Sequence, residues 1–441
     1  MTVAQEPRGR PSEWHLLPPL IAYIVLATLN ATIVPWFELP DEKHHLHYAQ
    51  YLAREHRLPD LRLVTSSDSD TSVCSGFNPP LYHILAACAL PPDAPYLSPK
   101  LAWHPKGARG FSEPPQGGWG PHQGILERLA LLRCLSILFG SLTMIGCFVA
   151  GRILSREGRS LAIAMAWFPV ALPQFVSMSA AINNEGAATA LMAIGVAFAA
   201  QAASVGSRRA AAAAGLLLGL SLLAKVSGLA LVPAFALVLW QVQAHAERRW
   251  SILLLGLGVA GLVASPWFLR NFLVTGGPLA SHAMVAAAVQ SGVGAFPRTP
   301  GGVLRGLGLL FASFYACYGQ LAVWLPRALY LIPLAVASAA AAGWAVRRPA
   351  PGTPQAAFAR AACVALACVL GAWLAYNLRV YSPQGRYLFI AMPFLAFLSL
   401  RGLQAWFPWV TSPGWAHTAC AACASLQVAY LMIWVRHAYG A

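Results

Sequence analysis

Charged residues are scarce in this sequence of 441 residues, making up only 10% of it, whereas soluble domains carry about 25%. Acidic residues are scarcest, with 15 Asp and Glu against 30 Lys and Arg. Hydrophobic residues reach 58%, and the mean hydropathy is +0.57. This composition excludes a soluble globular domain and predicts an integral membrane protein.

A basic surface patch with interleaved aromatics, as nucleic-acid-binding proteins have, is also missing, although the formal net charge is +15. The basic residues stand in short clusters between apolar runs, where membrane topology explains them better than a nucleic acid partner does. Most of the nine cysteines lie inside apolar runs, where a thiol usually behaves as a small hydrophobic side chain. We therefore predict neither a nucleic acid partner nor a redox centre.

Apolar runs long enough for about 20 helical residues recur from end to end, which predicts an all-α, polytopic transmembrane helix bundle forming one domain over residues 1–441. We interpret the first run as an uncleaved span, because it is too long for the core of a signal peptide. The eleven predicted spans are 15–37, 128–151, 160–181, 186–204, 210–224, 227–244, 251–269, 328–346, 358–378, 387–403 and 415–435.

Arginine clusters predict the orientation, because cytoplasmic loops are enriched in Lys and Arg. With eleven spans they share one side, so the N-terminus is inside. One tilted span around Lys225 is the alternative to the pair 210–224 and 227–244, and it would invert everything downstream. Two long outward loops result, 38–127 and 270–326, and the short apolar stretch 77–90 favours an interfacial helix. The clusters are Arg8/Arg10, Arg152/Arg156/Arg159, Arg208/Arg209, Arg248/Arg249, Arg347/Arg348 and Arg401.

Ten of the fifteen acidic residues lie in the first outward loop. Asp41 and Glu42 directly follow the first span, and Pro40 is well placed to begin a helix there, so the ordinary explanation is a helix with acids in its first turn. Glu185, in the segment A-I-N-N-E-G-A, has no basic neighbour that would explain it. Ionisable residues at membrane depth are costly and are more often functional than not.

Three cations, Lys225, Arg270 and Arg386, lie at predicted span ends on the same outward side as these acids. The two arginines break the positive-inside pattern, and their planar guanidinium groups suit a phosphate. Lys225 has a simpler explanation, since a lysine at a span end can extend its ammonium group to the interface.

A divalent metal is a further option, because His44, His45 and His47 stand next to two acids. No H-x-x-x-H spacing accompanies them, so an interfacial helix rich in histidine is the alternative. The D-x-D segment at Asp68 and Asp70 is also compatible with a metal, although its serine-rich surroundings favour a solvated loop.

Six short segments match, in order, motifs of a known superfamily. They are Pro40-Asp41-Glu42, Asn78-Pro79-Pro80-Leu81-Tyr82, Asn183-Asn184-Glu185, Ala224-Lys225-Val226-Ser227-Gly228, Arg270-Asn271 with Gly277-Pro278, and Gln384-Gly385-Arg386-Tyr387. On these segments the chain resembles bacterial GT-C glycosyltransferases, the superfamily of lipid A aminoarabinose transferases and protein O-mannosyltransferases. Glu185 departs from the pattern, which usually has Asp there.

The resemblance implies an enzyme of the inner membrane that transfers a hexose or pentose from a polyprenyl-phosphate donor to a lipid, glycan or protein hydroxyl, with inversion, at the periplasmic face. It implies Asp41 as the general base, with its pKa raised by desolvation or crowded acids. Glu42 or Glu185 would orient the acceptor or hold a metal. The remaining implied residues are Lys225, Arg270 and Arg386 for the donor phosphate, and Asn183, Tyr82 and Tyr387 for substrate.

Two other classes of membrane protein are alternatives to a glycosyltransferase. A transporter or lipid flippase of the cell envelope predicts ionisable residues near mid-span and paired interrupted helices from an internal repeat, and no repeat is evident. A non-catalytic assembly subunit leaves the clustered outward acids unexplained.

Overall fold

The structure is a computed structural model of the whole chain, and it describes residues 13–62, 76–93, 101–103, 109–112, 123–155, 160–241, 246–280, 285, 299–319, 321 and 323–439. Helices dominate this part of the chain, and two short antiparallel hairpins accompany them. The hairpins are β1 (Leu101–Trp103) with β2 (Arg109–Ser112), and β3 (Cys317–Tyr318) with β4 (Val323–Trp324).

The α-helices follow the apolar runs of the sequence. In chain order they are α1 (Leu17–Ile33), α2 (Glu42–Glu55), α3 (Leu81–Ala87), α4 (Gln123–Leu154), α5 (Ser160–Val170), α6 (Pro173–Met178), α7 (Glu185–Val205), α8 (Arg208–Ala224), α9 (Val232–Trp240), α10 (Arg249–Thr275), α11 (Pro300–Tyr315), α12 (Leu331–Val346), α13 (Pro354–Asn377), α14 (Met392–Leu403), α15 (Pro413–Tyr430) and α16 (Arg436–Ala438). Turns of 3-10 helix at Val226–Leu231 and Gly385–Ala391 lead into α9 and α14.

Eight helical segments within the described part of the chain are long and apolar enough to cross a membrane. The polytopic helical fold is therefore confirmed, while the count of eleven spans and their orientation stay predictions. Three predicted spans are not among the eight. The segments 160–181 and 227–244 appear as shorter apolar helices, the first of them broken near Pro173 into α5 and α6, and 210–224 corresponds to α8. The eight segments are Trp14–Ile33, Gly124–Leu154, Glu185–Val205, Arg249–Thr275, Arg327–Val346, Pro354–Asn377, Gly385–Leu403 and Pro413–Ala438.

Small residues bring the central helices into close contact. α7 packs between α4 and α8, and α8 packs in turn against α10. A Cβ added at Gly215 of α8 would lie 2.1 Å from the carbonyl oxygen of Gly256 on α10, so glycine permits this approach. Small residues of this kind are typical of helix interfaces in membranes, where packing rather than exclusion of water holds helices together.

The chain reverses direction at Lys225. A Cβ at Gly256 would meet both Leu239 of α9, at 2.6 Å, and the carbonyl oxygen of Ala211 of α8, at 3.4 Å. These two residues are equally far from Lys225 in sequence, so α8 before Lys225 and α9 after it both pass the same position of α10, at Gly256. The geometry favours the predicted pair of spans over a single tilted one.

The predicted outward loop 38–127 contains α2 and α3, which pack against each other. The predicted interfacial helix within 77–90 corresponds to α3, which buries Tyr82, His83 and Ala86 and exposes Ile84 and Leu85. The start of α2 carries Asp41 into the candidate site.

Candidate active site

Asp41 occupies the position just before α2, and its backbone is in the left-handed region at φ 67°. A non-glycine residue there costs about 1–3 kcal/mol, although aspartate tolerates the conformation better than most residues. Its carboxylate makes no capping hydrogen bond to α2 and is instead paired with Arg386 Nη2. The side chain of Asp41 is 45% exposed, so this carboxylate faces an opening.

Arg386 reaches Asp41 from the 3-10 turn Gly385–Ala391, at the opposite end of the sequence. Gly385 is required for close approach, because a Cβ there would lie 2.1 Å from the backbone nitrogen of Phe314 on α11. The amide of Gly385 also donates to Ser313 Oγ at 2.8 Å. These contacts hold the Arg386 side chain, which is only 5% exposed, between two carboxylates.

Glu185 and Lys225 complete a row of alternating charges. Arg386 Nε lies 3.7 Å from Glu185 Oε1, and Lys225 Nζ donates to the same oxygen at 2.6 Å. The order is thus Asp41, Arg386, Glu185, Lys225, which we call the charge row. A small cavity beside it is lined by Glu185, Thr189, Lys225, Ser227, Arg386 and Tyr387, together with Ile390.

Tyr387 supports both cations with its ring. Lys225 Nζ and the Arg386 guanidinium lie 5.5 Å and 5.6 Å from the ring centroid, within the range of a cation–π contact. Its hydroxyl is 3.0 Å from Ser382 Oγ. The structure therefore brings five of the nine predicted site residues together: Asp41, Glu185, Lys225, Arg386 and Tyr387.

The pKa of the Asp41 carboxyl departs from our expectation in its direction. Desolvation acts to raise it, as we expected, but nearby positive charge, chiefly that of the Arg386 guanidinium, and the hydrogen bond from Arg386 outweigh desolvation. The pKa of Asp41 is consequently held well below its usual range. The prediction of a raised pKa is wrong for this state, because the sequence did not reveal the ion pair.

Glu42 contacts a residue that the sequence reasoning missed. Its carboxylate pairs with Arg133 of α4 through Nε at 3.0 Å and Nη2 at 2.8 Å, and the two side chains are only 1% and 2% exposed. It also accepts from the amides of Phe37 and Ile182, at 2.9 and 3.0 Å. These four hydrogen bonds occupy the carboxylate and connect the end of α1 to α4 and to the loop before α7, while the expected role of Glu42 towards acceptor or metal stays a prediction.

Arg133 uses its remaining donors on the end of α1. It donates to the carbonyl oxygens of Ala31 and Val34 through Nη1 and of Pro35 through Nη2, at 2.7 to 3.0 Å. A lone arginine inside the apolar run L-L-R-C-L-S was the available sequence signal, since a membrane-buried charge requires a partner.

Asn183 and Tyr82 also face the protein interior. Asn183 Oδ1 accepts from the amide of Glu185 at 2.9 Å, and its Nδ2 donates to the carbonyl oxygen of Met178 at 2.6 Å. The Tyr82 hydroxyl lies 3.3 Å from Ser136 Oγ, and its ring is fully buried. Both residues position the chain around the site, and their expected contact with substrate stays a prediction.

Arg270 is not in the charge row. Its Nη2 donates to the carbonyl oxygen of Pro59, and its guanidinium lies 5.2 Å from the ring centroid of Trp267. Its Nη1 is buried without a hydrogen-bond partner among the described residues. Arg270 thus makes none of the contacts that join the charge row among the described residues, and its expected convergence with Lys225 and Arg386 on a phosphate stays a prediction.

The predicted metal ligands are not brought together where the structure describes them. Within the described ranges no group of three or more His, Cys, Asp or Glu side chains converges. His45 instead forms a pair with His83 of α3, with 2.9 Å between Nδ1 and Nε2. Asp68 and Asp70 lie outside the described residues.

No protein-family model matches the sequence, and no curated protein matches it. Among solved structures, one similar to this chain is the Saccharomyces cerevisiae protein O-mannosyltransferase Pmt1-Pmt2 complex bound to the sugar donor. It has 18% identity and a TM-score of 0.42, and the match covers 60% of this chain and 35% of that one.

Two further solved structures are similar over most of this chain. An Archaeoglobus fulgidus oligosaccharyltransferase tethered with an acceptor peptide has 14% identity and a TM-score of 0.47, covering 97% of this chain and 55% of that one. ArnT from Cupriavidus metallidurans bound to undecaprenyl phosphate has 17% identity and a TM-score of 0.39, covering 90% of this chain and 78% of that one. This chain thus spans about a third and about half of the first two matched chains.

These matches are all with GT-C glycosyltransferases, the superfamily that the sequence motifs resemble. At such identities and scores the likeness carries no argument about function.

Proposed function

We propose that this chain is an integral membrane glycosyltransferase of the inner membrane. It transfers a sugar from a polyprenyl-phosphate-linked donor to a hydroxyl of a lipid, glycan or protein acceptor at the periplasmic face. The observation that carries this proposal is the charge row, in which a half-exposed carboxylate and two cations lie at one end of an apolar bundle. A base and a phosphate-binding group are what such a transfer needs side by side.

The proposed reaction is one displacement. The acceptor oxygen attacks the anomeric carbon, the bond from that carbon to the phosphate oxygen breaks, and the electron pair leaves with the phosphate. The Asp41 carboxylate takes the proton of the attacking hydroxyl. Negative charge grows on the departing lipid phosphate, and Arg386 and Lys225 are the cations available to stabilise it. Attack opposite the leaving group inverts the anomeric configuration.

Charge balance decides how a phosphate enters. The two acids and two cations of the charge row sum to zero, so a donor phosphate gains little unless a cation turns away from its carboxylate. Arg386 is the better candidate, because its Nε is buried and has no hydrogen-bond partner among the described residues. In the proposed cycle the donor phosphate draws Arg386 from Asp41. The pKa of Asp41 then rises towards its ordinary value, and a weak base becomes a stronger one when the donor is bound.

The other site residues have supporting roles in this proposal. Glu185 pairs with both Lys225 and Arg386, and the Tyr387 ring positions the two cations through cation–π contacts. Arg270, with its unpartnered Nη1, is proposed as a second, more distant phosphate contact. A divalent cation is not part of the proposed step.

The position of the charge row favours a transferase over a transporter or lipid flippase. Its four members come from the start of α2, the start of α7, the turn after α8 and the turn before α14. All four are helix ends, whereas a transport pathway predicts ionisable residues near the middle of the spans.

Replacing Asp41 by Asn tests the base. We expect sugar transfer to fall by about 10²–10⁴-fold, the usual contribution of a general base, with unchanged expression and membrane insertion. Asp60→Asn is the matched control, because Asp60 pairs with Arg62 at the surface. Transfer at the wild-type rate by Asp41→Asn would contradict the proposed role.

Replacing Arg386 by Met tests the phosphate contact. We expect the affinity for undecaprenyl phosphate, measured with purified protein in lipid nanodiscs, to fall at least about tenfold through loss of a charge-assisted contact. Arg379→Met is the control, since Arg379 is exposed a few residues earlier in the chain. Equal affinities of the Arg386→Met variant and the wild type would remove Arg386 from the phosphate site.

A further inference from the structure

A pair of stacked histidines lies next to Asp41. His45 follows Asp41 by one helical turn, and its amide donates to the Asp41 carbonyl oxygen at 3.0 Å. His83 approaches from α3, with 5.1 Å between the two ring centroids and an interplanar angle of 25°. Tyr48 lies 4.2 Å from the His83 ring, and Tyr82 meets both imidazoles edge-on. These aromatic contacts fix both rings in the protein interior.

The hydrogen bonds of this pair determine which nitrogens carry protons. His83 Nδ1 lies 3.3 Å from the carbonyl oxygen of Pro79, which accepts and cannot donate, so Nδ1 bears the hydrogen. Burial lowers the pKa of His83 to about 3 and outweighs the opposing effect of this hydrogen bond. The ring is therefore neutral at physiological pH, and its Nε2 is an acceptor.

The same reasoning extends to His45. Its Nδ1 lies 2.9 Å from His83 Nε2 and must donate to it. Burial, then His83, lower the pKa of His45 well below its usual value, with Lys225 and Arg386 acting in the same direction and Asp41 opposing them. His45 is thus neutral, and its Nε2 keeps a lone pair. That nitrogen makes no hydrogen bond to any residue that the structure describes.

We infer that His45 Nε2 is a fixed hydrogen-bond acceptor for a sugar hydroxyl next to the reacting bond, and that His83 is its positioning residue. In this chain of hydrogen bonds the substrate hydroxyl donates to His45, His45 donates to His83, and His83 donates to the carbonyl oxygen of Pro79. This inference rests on the proposed function. A hydroxyl other than the attacking one is meant, because the attacking hydroxyl gives its only proton to Asp41.

The chemistry of the pair makes this recognition selective. A neutral imidazole with a lone pair binds O–H or N–H groups and offers no donor to a carbonyl or phosphate oxygen. A site that accepts from a hydroxyl in this way discriminates against an analogue that lacks the hydroxyl, because the imidazole lone pair then loses its donor. His45 would accordingly determine which sugar is used, while Asp41 determines whether it reacts.

The tautomer can be measured without any substrate. Protein with ¹⁵N-labelled histidine, in detergent micelles, is observed by NMR, and His45→Asn identifies the His45 signals by their loss. We expect His45 to be protonated on Nδ1 and unprotonated on Nε2 from about pH 5 to 8, without titration through the ordinary histidine pKa. A proton on Nε2, or a histidinium cation near pH 7, would overturn the inference whether or not the protein transfers sugar.

Two substitutions separate the two ring nitrogens in the transfer assay. In His45→Asn the amide nitrogen can replace Nδ1 and keep the bond to His83, but nothing replaces Nε2. In His45→Gln the amide oxygen can reach the position of Nε2. We expect His45→Asn to raise the KM of one substrate about tenfold with kcat within about twofold, and His45→Gln to restore part of that loss.

The KM that changes identifies the source of the hydroxyl. A rise for the polyprenyl-phosphate sugar alone assigns it to the donor, and a rise for the acceptor alone assigns it to the acceptor. His44→Asn, at the exposed neighbouring position, is the matched control. Wild-type KM values for both substrates in His45→Asn would overturn the inference, whereas wild-type turnover in Asp41→Asn would overturn only the proposed base.

Discussion

The buried pair of Glu42 and Arg133 makes a sharp prediction about stability. Arg133→Met removes one partner of an ion pair whose side chains are only 1% and 2% exposed. Breaking such a pair costs about 3–5 kcal/mol, because the remaining charge stays buried without its counterion. The loss of the donors to the carbonyl oxygens of Ala31, Val34 and Pro35 acts in the same direction. We expect Arg133→Met to unfold at a clearly lower temperature and to accumulate poorly.

The assay is thermal unfolding of purified protein in detergent, followed by intrinsic tryptophan fluorescence. Arg128→Met is the control, because Arg128 lies on the same helix but is exposed. A double variant with Met at positions 42 and 133 should recover much of the stability, since it leaves no unpaired charge. An Arg133→Met protein as stable as the wild type, or a double variant no better than the single one, would refute this account.

Measurements of unfolding and of sugar transfer on Glu42→Gln distinguish two roles for Glu42. If Glu42 orients the acceptor or holds a metal, as the resemblance implied, Glu42→Gln should be folded and inactive. If it is structural, as its four hydrogen bonds indicate, stability should fall first and activity only with it. Measuring unfolding and transfer on the same preparation separates these outcomes.

Three further predictions concern pH, packing and topology. Because the folded pKa of Asp41 is depressed, its pair with Arg386 should stabilise the protein above about pH 4 and lose this effect as the pH falls through the folded pKa. In a measurement of Tm against pH, Asp41→Asn should lack the part of the acid-induced fall in Tm that comes from this pair. Gly215→Leu should lower Tm through a clash costing about 1–3 kcal/mol or more, whereas Gly258→Leu, which meets open space, should not. A single cysteine at position 207, in a chain without other cysteines, should react with an impermeant reagent only from the inside; labelling from outside would contradict the eleven-span count.

The sequence was sufficient to predict the fold class, because an apolar run of about 20 residues satisfies its own backbone hydrogen bonds inside a membrane only as a helix. It also indicated that Asp41, Glu185, Lys225 and Arg386 share one site, since each is a charge at a span end on the same side. The break between α5 and α6 was predictable as well. Pro173 disfavours a helical residue before it and supplies no amide hydrogen.

Pairings across long sequence distances were beyond reach. Arg133 lies 91 residues from Glu42, and neither local sequence predicts that the two residues pair. The lowered pKa of Asp41 has the same origin, because it depends on a guanidinium 345 residues away. The histidine pair joins α2 and α3, and His83 appears in the sequence only as one more residue of a short apolar helix. Such contacts are properties of the tertiary structure.

The charge row also has a consequence for how the protein is made. Because synthesis proceeds from the N-terminus, its members are made in the order Asp41, Glu185, Lys225, Arg386. Glu42 and Arg133 can pair early and anchor the first helices, but Asp41 has to wait for the last quarter of the chain. The nascent protein therefore assembles a stable frame before it holds the complete charge row. A ribosome-bound chain that ends before residue 386 should be correctly inserted yet unable to bind the proposed donor.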